Sequence, residues 1–123
     1  MIIGIGCDII EINRVEKAVK SESFKQRVFT PAEIAYCESR GKQQFASFAA
    51  RFAAKEAVLK AFGTGLRGGA LTDIEVLNDE LGCPQMTLTG YHEELAQSKG
   101  VGKIHVTLSH SKDSAMAYVV LEG

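Results

Sequence analysis

Glu56 is a carboxylate in a stretch of sequence whose pattern is that of a buried helix. At about 100° per residue, it falls on the same side of a helix as four apolar residues. These residues are Phe45, Ala49, Phe52 and Leu59. Because burying an unpaired carboxylate is costly, Glu56 must be neutralised by a nearby cation or line a cleft. An ion pair with Lys60, one turn further along the helix, is the simplest structural alternative.

Asp8 is a second carboxylate in an apolar segment. The segment Met1–Ile10 is apolar on both faces, as a central strand is, except at Asp8. Asp8 shares its face with Gly4 and Gly6, which leave room for a ligand or another backbone to approach closely. The structural alternative is that Asp8 ends the strand and caps the helix that follows.

The two carboxylates together indicate a shared divalent cation. Hard cations prefer oxygen ligands, and magnesium commonly keeps several waters while taking one or two carboxylates from the protein. Asp8 and Glu56 are therefore predicted to hold Mg²⁺.

The helix of Glu56 also supplies groups suited to phosphate. It carries Arg51, Lys55 and Lys60 and leads into the segment 63–69, which contains four glycines. Exposed backbone N–H groups of such a loop can cradle a phosphate. The segment lacks the Gly-Lys-Ser/Thr ending of a P-loop, and a helix C-cap followed by a turn is the alternative.

The C-terminal segment predicts a β-hairpin that places polar side chains at a strand end. Strands Lys103–Ser109 and Ser114–Leu121 flank turn residues 110–113. Ser109 and His110 are suited to hydrogen bonding a phosphate or a ribose, the alternative being that His110 is a solvated turn residue.

Composition limits the classes of function. With 123 residues, 46% of them hydrophobic, the chain is predicted to form one domain spanning 1–123. A net charge of −1 argues against general nucleic-acid binding, and no apolar run is long enough to predict a membrane span. Cys7, Cys37 and Cys83 are odd in number and lack metal-type spacing, which predicts reduced thiols in a cytoplasmic protein.

Periodicity and turn residues predict an α+β fold in which an antiparallel sheet packs against a long helix, the first strand pairing with the C-terminal strands. The predicted helices are 11–21, 24–28, 31–40 (capped by Thr30), 43–62 and 91–98. The predicted strands are 2–10, 71–78, 85–89 and the two of the C-terminal hairpin.

Four segments of the chain resemble the 4'-phosphopantetheinyl transferases, specifically the short holo-acyl-carrier-protein synthase group. They span nearly the whole chain in the expected order, and the Asp-bearing strand and the Lys-Glu-Ala motif followed by Lys60 are the most specific. The segments are Gly4–Arg14, Phe29–Glu33, Arg51–Gly63 and Leu108–His110. Larger relatives often have a third acid where this chain has Ile10 and a Trp at Phe52, which fits the short group.

The resemblance implies an activity. Mg²⁺ would link Asp8 and Glu56 to the pyrophosphate of coenzyme A while Lys60 stabilises charge on the phosphoryl oxygens. A serine of apo-acyl carrier protein would accept the phosphopantetheine arm, releasing adenosine 3',5'-bisphosphate, as a step of fatty acid biosynthesis. The serine proton would pass to Glu56 or to a water on the metal.

The resemblance also implies binding residues and an assembly. Contacts to coenzyme A are implied for Arg51, Lys60, Gly63, Ser109 and His110. Two basic residues of the N-terminal helical region, Arg14 and Arg27, are predicted to dock the acidic carrier protein, the alternative being a solvated helix face on which acidic residues are interleaved. The short synthases form homotrimers with active sites between subunits, so a homotrimer is expected.

Two other functions use the same residues. In a magnesium-dependent pyrophosphohydrolase, water would replace the carrier serine as acceptor. In a non-catalytic nucleotide-binding module, Asp8 and Glu56 would be structural only.

Overall fold

A computed structural model describes all 123 residues as five helices and five strands. In chain order these are β1 (Ile2–Glu11), α1 (Ile12–Ala18), α2 (Glu22–Val28), α3 (Pro31–Glu38), α4 (Gln44–Phe62), β2 (Ile74–Asn78), β3 (Pro84–Leu88), α5 (Gly90–Ser98), β4 (Lys103–His110) and β5 (Ser114–Glu122). Two 3-10 turns, Gly41–Gln43 and Leu71–Asp73, precede α4 and β2. The predicted α+β class is confirmed.

The sheet that carries Asp8 is antiparallel and three-stranded, in the order β1-β5-β4. The predicted pairing of the first strand with the C-terminal hairpin is therefore confirmed. Asp8 lies opposite Ala117, which in turn lies opposite Leu108, so these three residues form one row across the sheet. Strands β2 and β3 form a separate antiparallel pair.

The expectation that β1 is a central strand is wrong, because it forms an edge of the sheet with β5 in the middle. Its outward isoleucines are exposed, Ile5 at 56% and Ile9 at 68%. In the single chain, only the inner face of β1 is buried, and its apolar outer face remains uncovered.

Helix α4 packs directly on the inner face of β1. A Cβ built on Gly4 would lie 2.1 Å from the carbonyl oxygen of Ala61, and one on Gly6 would lie 2.1 Å from that of Ala57. The space left by the two glycines is therefore occupied by the backbone of α4, the second of the two predicted occupants. This contact sets the distance between α4 and Asp8.

The ends of the helices follow recognisable signals. Thr30 caps α3, as predicted, with Pro31 in the first turn, and the structure adds a capping box with Glu33. Helix α4 ends where Gly63 adopts a left-handed φ of 79°, which few other residues reach without strain.

Several element boundaries differ from prediction. Strand β1 continues to Glu11, which is the N-cap of α1, so Asp8 neither ends its strand nor caps a helix. His110 belongs to β4, opposite Ala115, rather than to the turn. The predicted strand 71–78 begins only at Ile74, because Leu71–Asp73 form a 3-10 turn.

The buried core lies between α4 and the two sheets, with a second cluster where α1, α2 and α3 meet the first half of α4. None of the helices combines the length and the hydrophobicity that crossing a membrane requires.

Candidate active site

Asp8 and Lys60 form an ion pair at the contact between β1 and α4. The Lys60 Nζ donates to Asp8 Oδ1 at 3.0 Å, and the two side chains are 56% and 18% exposed, respectively. Lys60 thus pairs with the carboxylate of the neighbouring strand instead of with Glu56 on its own helix. The hydrogen bond and the charge of Asp8 raise the pKa of Lys60, which keeps its ammonium protonated.

Glu56 lies half-buried beside this pair and has no ion-pair partner within 4.0 Å. Burial raises the pKa of its carboxyl above the ordinary value of 4.5, and the negative charge of Asp8 raises it further, while Lys60 opposes both effects. The two predicted metal ligands are therefore brought close enough to repel each other. The alternative in which Glu56 is simply neutralised by Lys60 is not what the structure shows.

Asp8 and Glu56 fit a magnesium ion by their chemistry. Both offer carboxylate oxygens, and a divalent cation held by them would offset the repulsion from Asp8 that adds to the effect of burial on the pKa of Glu56. No third His, Cys, Asp or Glu joins them. A cation held here would take its other ligands from water or substrate, as magnesium does.

Lys55 is not available to bind a phosphate, although the sequence groups it with Arg51 and Lys60. Its side chain is fully buried and forms an ion pair with Glu33 Oε1 at 2.9 Å. Its ammonium also donates to the carbonyl oxygens of Leu71 and Ile74. Burial lowers the pKa of Lys55, opposed by the charge of Glu33.

Arg51 is also almost completely buried, at 2% exposure. Its Nε donates to the carbonyl oxygen of Val76 at 3.1 Å, and its Nη2 donates to Asn78 Oδ1 at 3.0 Å. The guanidinium lies over the ring of Tyr36, 4.5 Å from the ring centroid. Arg51 therefore holds two residues, Tyr36 and Asn78, that line a nearby cavity.

Ser109 and His110 also line that cavity. It has a volume of about 390 Å³, within the range of small-molecule sites, and lies between the first half of α4 and the ends of β2 and β4. Its polar lining residues are Tyr36, Arg40, Gln43, Ser47, Asn78, Ser109 and His110. The size and polarity suit a nucleotide.

The acid cluster and the cavity lie at different places within one chain. Asp8 is on β1 and His110 on β4, the two edges of the sheet, so two strand spacings of about 4.8 Å separate their backbones. Along α4, Ala50 of the cavity and Glu56 of the acid cluster, their nearest members on this helix, are about 9 Å apart at 1.5 Å per residue. Asp8, Glu56, Lys60 and Gly63 are absent from the lining of the cavity.

Comparison with known proteins decides the family. A model of the 4'-phosphopantetheinyl transferase superfamily matches residues 4–119. The chain is 50% identical over 125 residues to a holo-[acyl-carrier-protein] synthase of Geotalea daltonii, covering 99% of each. It belongs to the 4'-phosphopantetheinyl transferase superfamily. Within the superfamily, it is an enzyme of the holo-[acyl-carrier-protein] synthase type.

Solved structures of holo-[acyl-carrier-protein] synthases share the whole fold. The synthase of Neisseria meningitidis matches with a TM-score of 0.90 and 34% identity over 100% of both chains. The synthase of Bacillus anthracis, solved in complex with CoA (3',5'-ADP), matches with a TM-score of 0.80 and 40% identity, covering 98% of this chain and 96% of that one.

The remaining predicted site residues have defined places in the structure. Gly63 is the exposed C-cap of α4, three residues after Lys60. Arg14 is exposed on α1, which directly follows β1, so it lies within about 15 Å of Asp8 along the chain. Arg27 is exposed in the last turn of α2.

The sequence missed most of the cavity lining. Tyr36, Arg40, Gln43 and Asn78 come from three separate segments, and none has a spacing or neighbour that indicates a ligand. The usable signal was indirect: Arg51 belongs to the superfamily motif, and its side chain contacts Tyr36 and Asn78.

Proposed function

We propose that the protein transfers 4'-phosphopantetheine from coenzyme A to a serine of apo-acyl carrier protein, in a magnesium-dependent step of fatty acid biosynthesis, releasing adenosine 3',5'-bisphosphate. The observation that carries this proposal is the cluster of Asp8, Glu56 and Lys60 at the β1–α4 contact of a superfamily member. The complex of the Bacillus anthracis relative with CoA supports the choice of donor.

Each member of the cluster has a role in this reaction. Asp8 and Glu56 would hold Mg²⁺, which when bound neutralises negative charge on the phosphoryl oxygens of coenzyme A. The ammonium of Lys60, half-exposed and kept protonated by Asp8, stabilises charge that develops on the same oxygens. A carboxylate engaged with a cation is a weakened base, which favours a water held by Asp8, from which the serine proton would pass on to solvent, over Glu56.

The cavity beside His110 is proposed to bind the nucleotide end of coenzyme A. His110 supplies a donor from β4, Ser109 lines the cavity from the neighbouring position, and Arg51 contributes by fixing Asn78 and Tyr36 in the wall. Gly63 would offer its exposed backbone near the phosphates held at Lys60.

A homotrimer with shared active sites accounts for the separation of the two clusters. The outer face of the three-stranded sheet is exposed, and the part formed by β1 and β5 is mostly apolar, which is unusual for a protein that remains a monomer. Its exposed apolar members include Ile3, Ile5, Ile9, Met116 and Tyr118. Ser109 lies on this face, in the row of Ile9 and Met116. Packing this face against a second copy would bring the β4 end of one chain toward the acid cluster of another.

Arg14 and Arg27 are proposed to orient the acidic carrier protein. Both are exposed and take part in no ion pair within 4.0 Å, so their charges are free to steer association. The Arg14→Ala variant is expected to raise KM for the carrier at low salt while KM for coenzyme A stays the same. An unchanged KM for the carrier would remove Arg14 from the docking surface.

An assay of nucleotide release distinguishes the proposed transferase from a pyrophosphohydrolase. Protein, coenzyme A and Mg²⁺ are incubated with and without apo-acyl carrier protein, and adenosine 3',5'-bisphosphate is quantified by chromatography. A transferase releases it only when the carrier is present. Release at the same rate without the carrier would favour the pyrophosphohydrolase, and no release with several carriers would favour the nucleotide-binding module.

A further inference from the structure

Lys55 is a fully buried lysine that the proposed chemistry does not use. Its ammonium has three N–H donors, and the structure supplies three acceptors. These are the carbonyl oxygens of Leu71 and Ile74 and the Oε1 of Glu33. The buried ammonium of Lys55 is held rigidly in place, because moving it would break several charge-assisted hydrogen bonds at once.

Glu33 connects the side chain of Lys55 to two further elements. Its Oε1 also accepts the backbone N–H of Thr30 at 2.9 Å, and its Oε2 accepts the backbone N–H of Val76 at 2.8 Å. One carboxylate thus ties the start of α3 and strand β2 to the side chain of Lys55 on α4. No part of it is exposed to solvent.

Arg51 repeats the contact one helical turn earlier. Lys55 binds the carbonyl oxygen of Ile74, and Arg51 binds that of Val76. Four residues of a helix advance about 6 Å, and two residues of a strand advance about 6.6 Å. The two spacings match, so the pair of cations sets the register of α4 along β2.

Glu56 depends on this register. It follows Lys55 directly, yet it has no ion-pair partner of its own to fix it beside Asp8. We propose that Lys55 is a positioning residue for the transfer reaction: through Glu33 and the carbonyls before and within β2, it holds α4 so that Glu56 stands beside Asp8. This inference rests on the proposed function, because it assigns Lys55 a part in the same reaction.

The test compares the Lys55→Met variant with the double variant Glu33→Gln/Lys55→Met. Lys55→Met alone leaves the carboxylate of Glu33 buried and unpaired, so its urea midpoint should fall. The double variant removes both charges, so its midpoint should recover at least in part. Lys99→Met, on the exposed lysine after α5, is the control and should match the wild type in every measurement.

Turnover distinguishes positioning from stability. Since a displacement of about 1 Å can cost roughly 100-fold in rate, kcat of the double variant should remain about 10- to 100-fold low. KM for coenzyme A should change less than about 3-fold, and added Mg²⁺ should raise the urea midpoint less than in the wild type. A double variant whose kcat returns to within about 2-fold of the wild type would overturn the inference, because Lys55 would then be structural only.

The transfer assay also distinguishes the remaining outcomes. If neither variant folds, Lys55→Arg keeps the charge opposite Glu33 but shifts the donors along β2; a lowered kcat supports the inference, and a wild-type kcat contradicts it. A wild-type protein that transfers nothing would instead refute the proposed function. An active wild type with an unimpaired double variant refutes only the role of Lys55.

Discussion

Lys60 pairs with Asp8 across the β1–α4 contact rather than with Glu56 on its own helix. Glu56 is left without a cation of its own, half-buried and repelled by Asp8, so its pKa is raised. Because the two carboxylates repel each other, binding of a divalent cation beside them is favoured.

Magnesium should therefore stabilise the fold through Asp8. Ligands that bind only the native state raise its apparent stability, so added Mg²⁺ should raise the melting temperature of the wild type. Asp8→Asn should abolish this rise and lower turnover by about 100-fold or more, while the variant remains folded. Differential scanning fluorimetry with and without EDTA measures the first effect. An equal rise in the variant would remove Asp8 from the metal site.

Glu56→Gln should stabilise the metal-free protein while abolishing turnover. The pKa of Glu56 in the folded state is above its ordinary 4.5, so the folded protein holds a proton that the unfolded chain releases at lower pH. The free energy of unfolding of the wild type should thus fall as pH rises from about 4.5 through the raised pKa. The variant should lack that fall and be the more stable protein at pH 7. Urea unfolding in EDTA from pH 4 to 8 measures both, and parallel pH profiles would contradict the account.

The sequence identified the ionisable residues of the site more easily than their partners. Asp8 and Glu56 could be predicted because each interrupts an apolar pattern. The burial of Lys55 and Arg51 could not, because their partners are mostly backbone carbonyls and residues that lie 16 to 27 positions away. Such acceptors leave no trace in the local pattern of residue types.

At the scale of elements, the contact between α4 and β1 determines where the acids meet. Gly6→Ala would place a methyl group 2.1 Å from the carbonyl oxygen of Ala57, which is backbone and cannot rotate away. We expect the variant to lose about 1–3 kcal/mol of stability from overpacking and to lose turnover as α4 is displaced from Asp8.

Gly102→Ala is the matched control for that substitution. A Cβ on Gly102 would meet its nearest atom, in Gly123, at 3.7 Å, an ordinary contact. Urea unfolding and the transfer assay should therefore distinguish the two variants. Equal behaviour would show that the close approach at Gly6 does not hold α4 in place.

Most elements could be predicted to within a few residues, because their signals are local. The capping box at Thr30 and the left-handed Gly63 are such signals, and they mark the start of α3 and the end of α4 correctly. The turn Leu71–Asp73 was predicted as strand because its apolar start resembles one. Its conformation depends on bonds between distant residues, including that from Lys55 to Leu71.

At the scale of the whole molecule, β1 shows how an interface can mislead a single-chain prediction. Its two apolar faces predicted a central strand, whereas it is an edge strand with an uncovered outer face. If that face packs against another copy, as proposed, both faces are buried in the assembly, and the apolar pattern is explained.

Thiol reactivity should report this interface. Cys37 is buried, and burial raises its pKa to about 12, so it should stay unreactive toward a thiol reagent at pH 8 in the folded protein. Cys83 is exposed and should react quickly. Cys7 is exposed in the single chain but lies on the outer face of the sheet, opposite Tyr118, so the trimer should protect it.

In the assembled protein, only the thiol of Cys83 should therefore react quickly. When dilution separates the chains, the thiol of Cys7 should react quickly as well. The Cys83→Ser variant, with no fast thiol in the assembly, serves as the control. Two fast thiols in a protein that sedimentation shows to be trimeric would place the interface elsewhere.

The mass of the carrier protein tests the central claim most directly. Apo-acyl carrier protein is incubated with coenzyme A, Mg²⁺ and either the wild type or Asp8→Asn, and its intact mass is measured, with EDTA and a carrier lacking the acceptor serine as controls. We expect a gain of one phosphopantetheine group with the wild type but not with Asp8→Asn, and we expect this gain to be lost in EDTA and absent from the carrier that lacks the serine. An unmodified carrier with the wild type, or the same gain with Asp8→Asn, would contradict it.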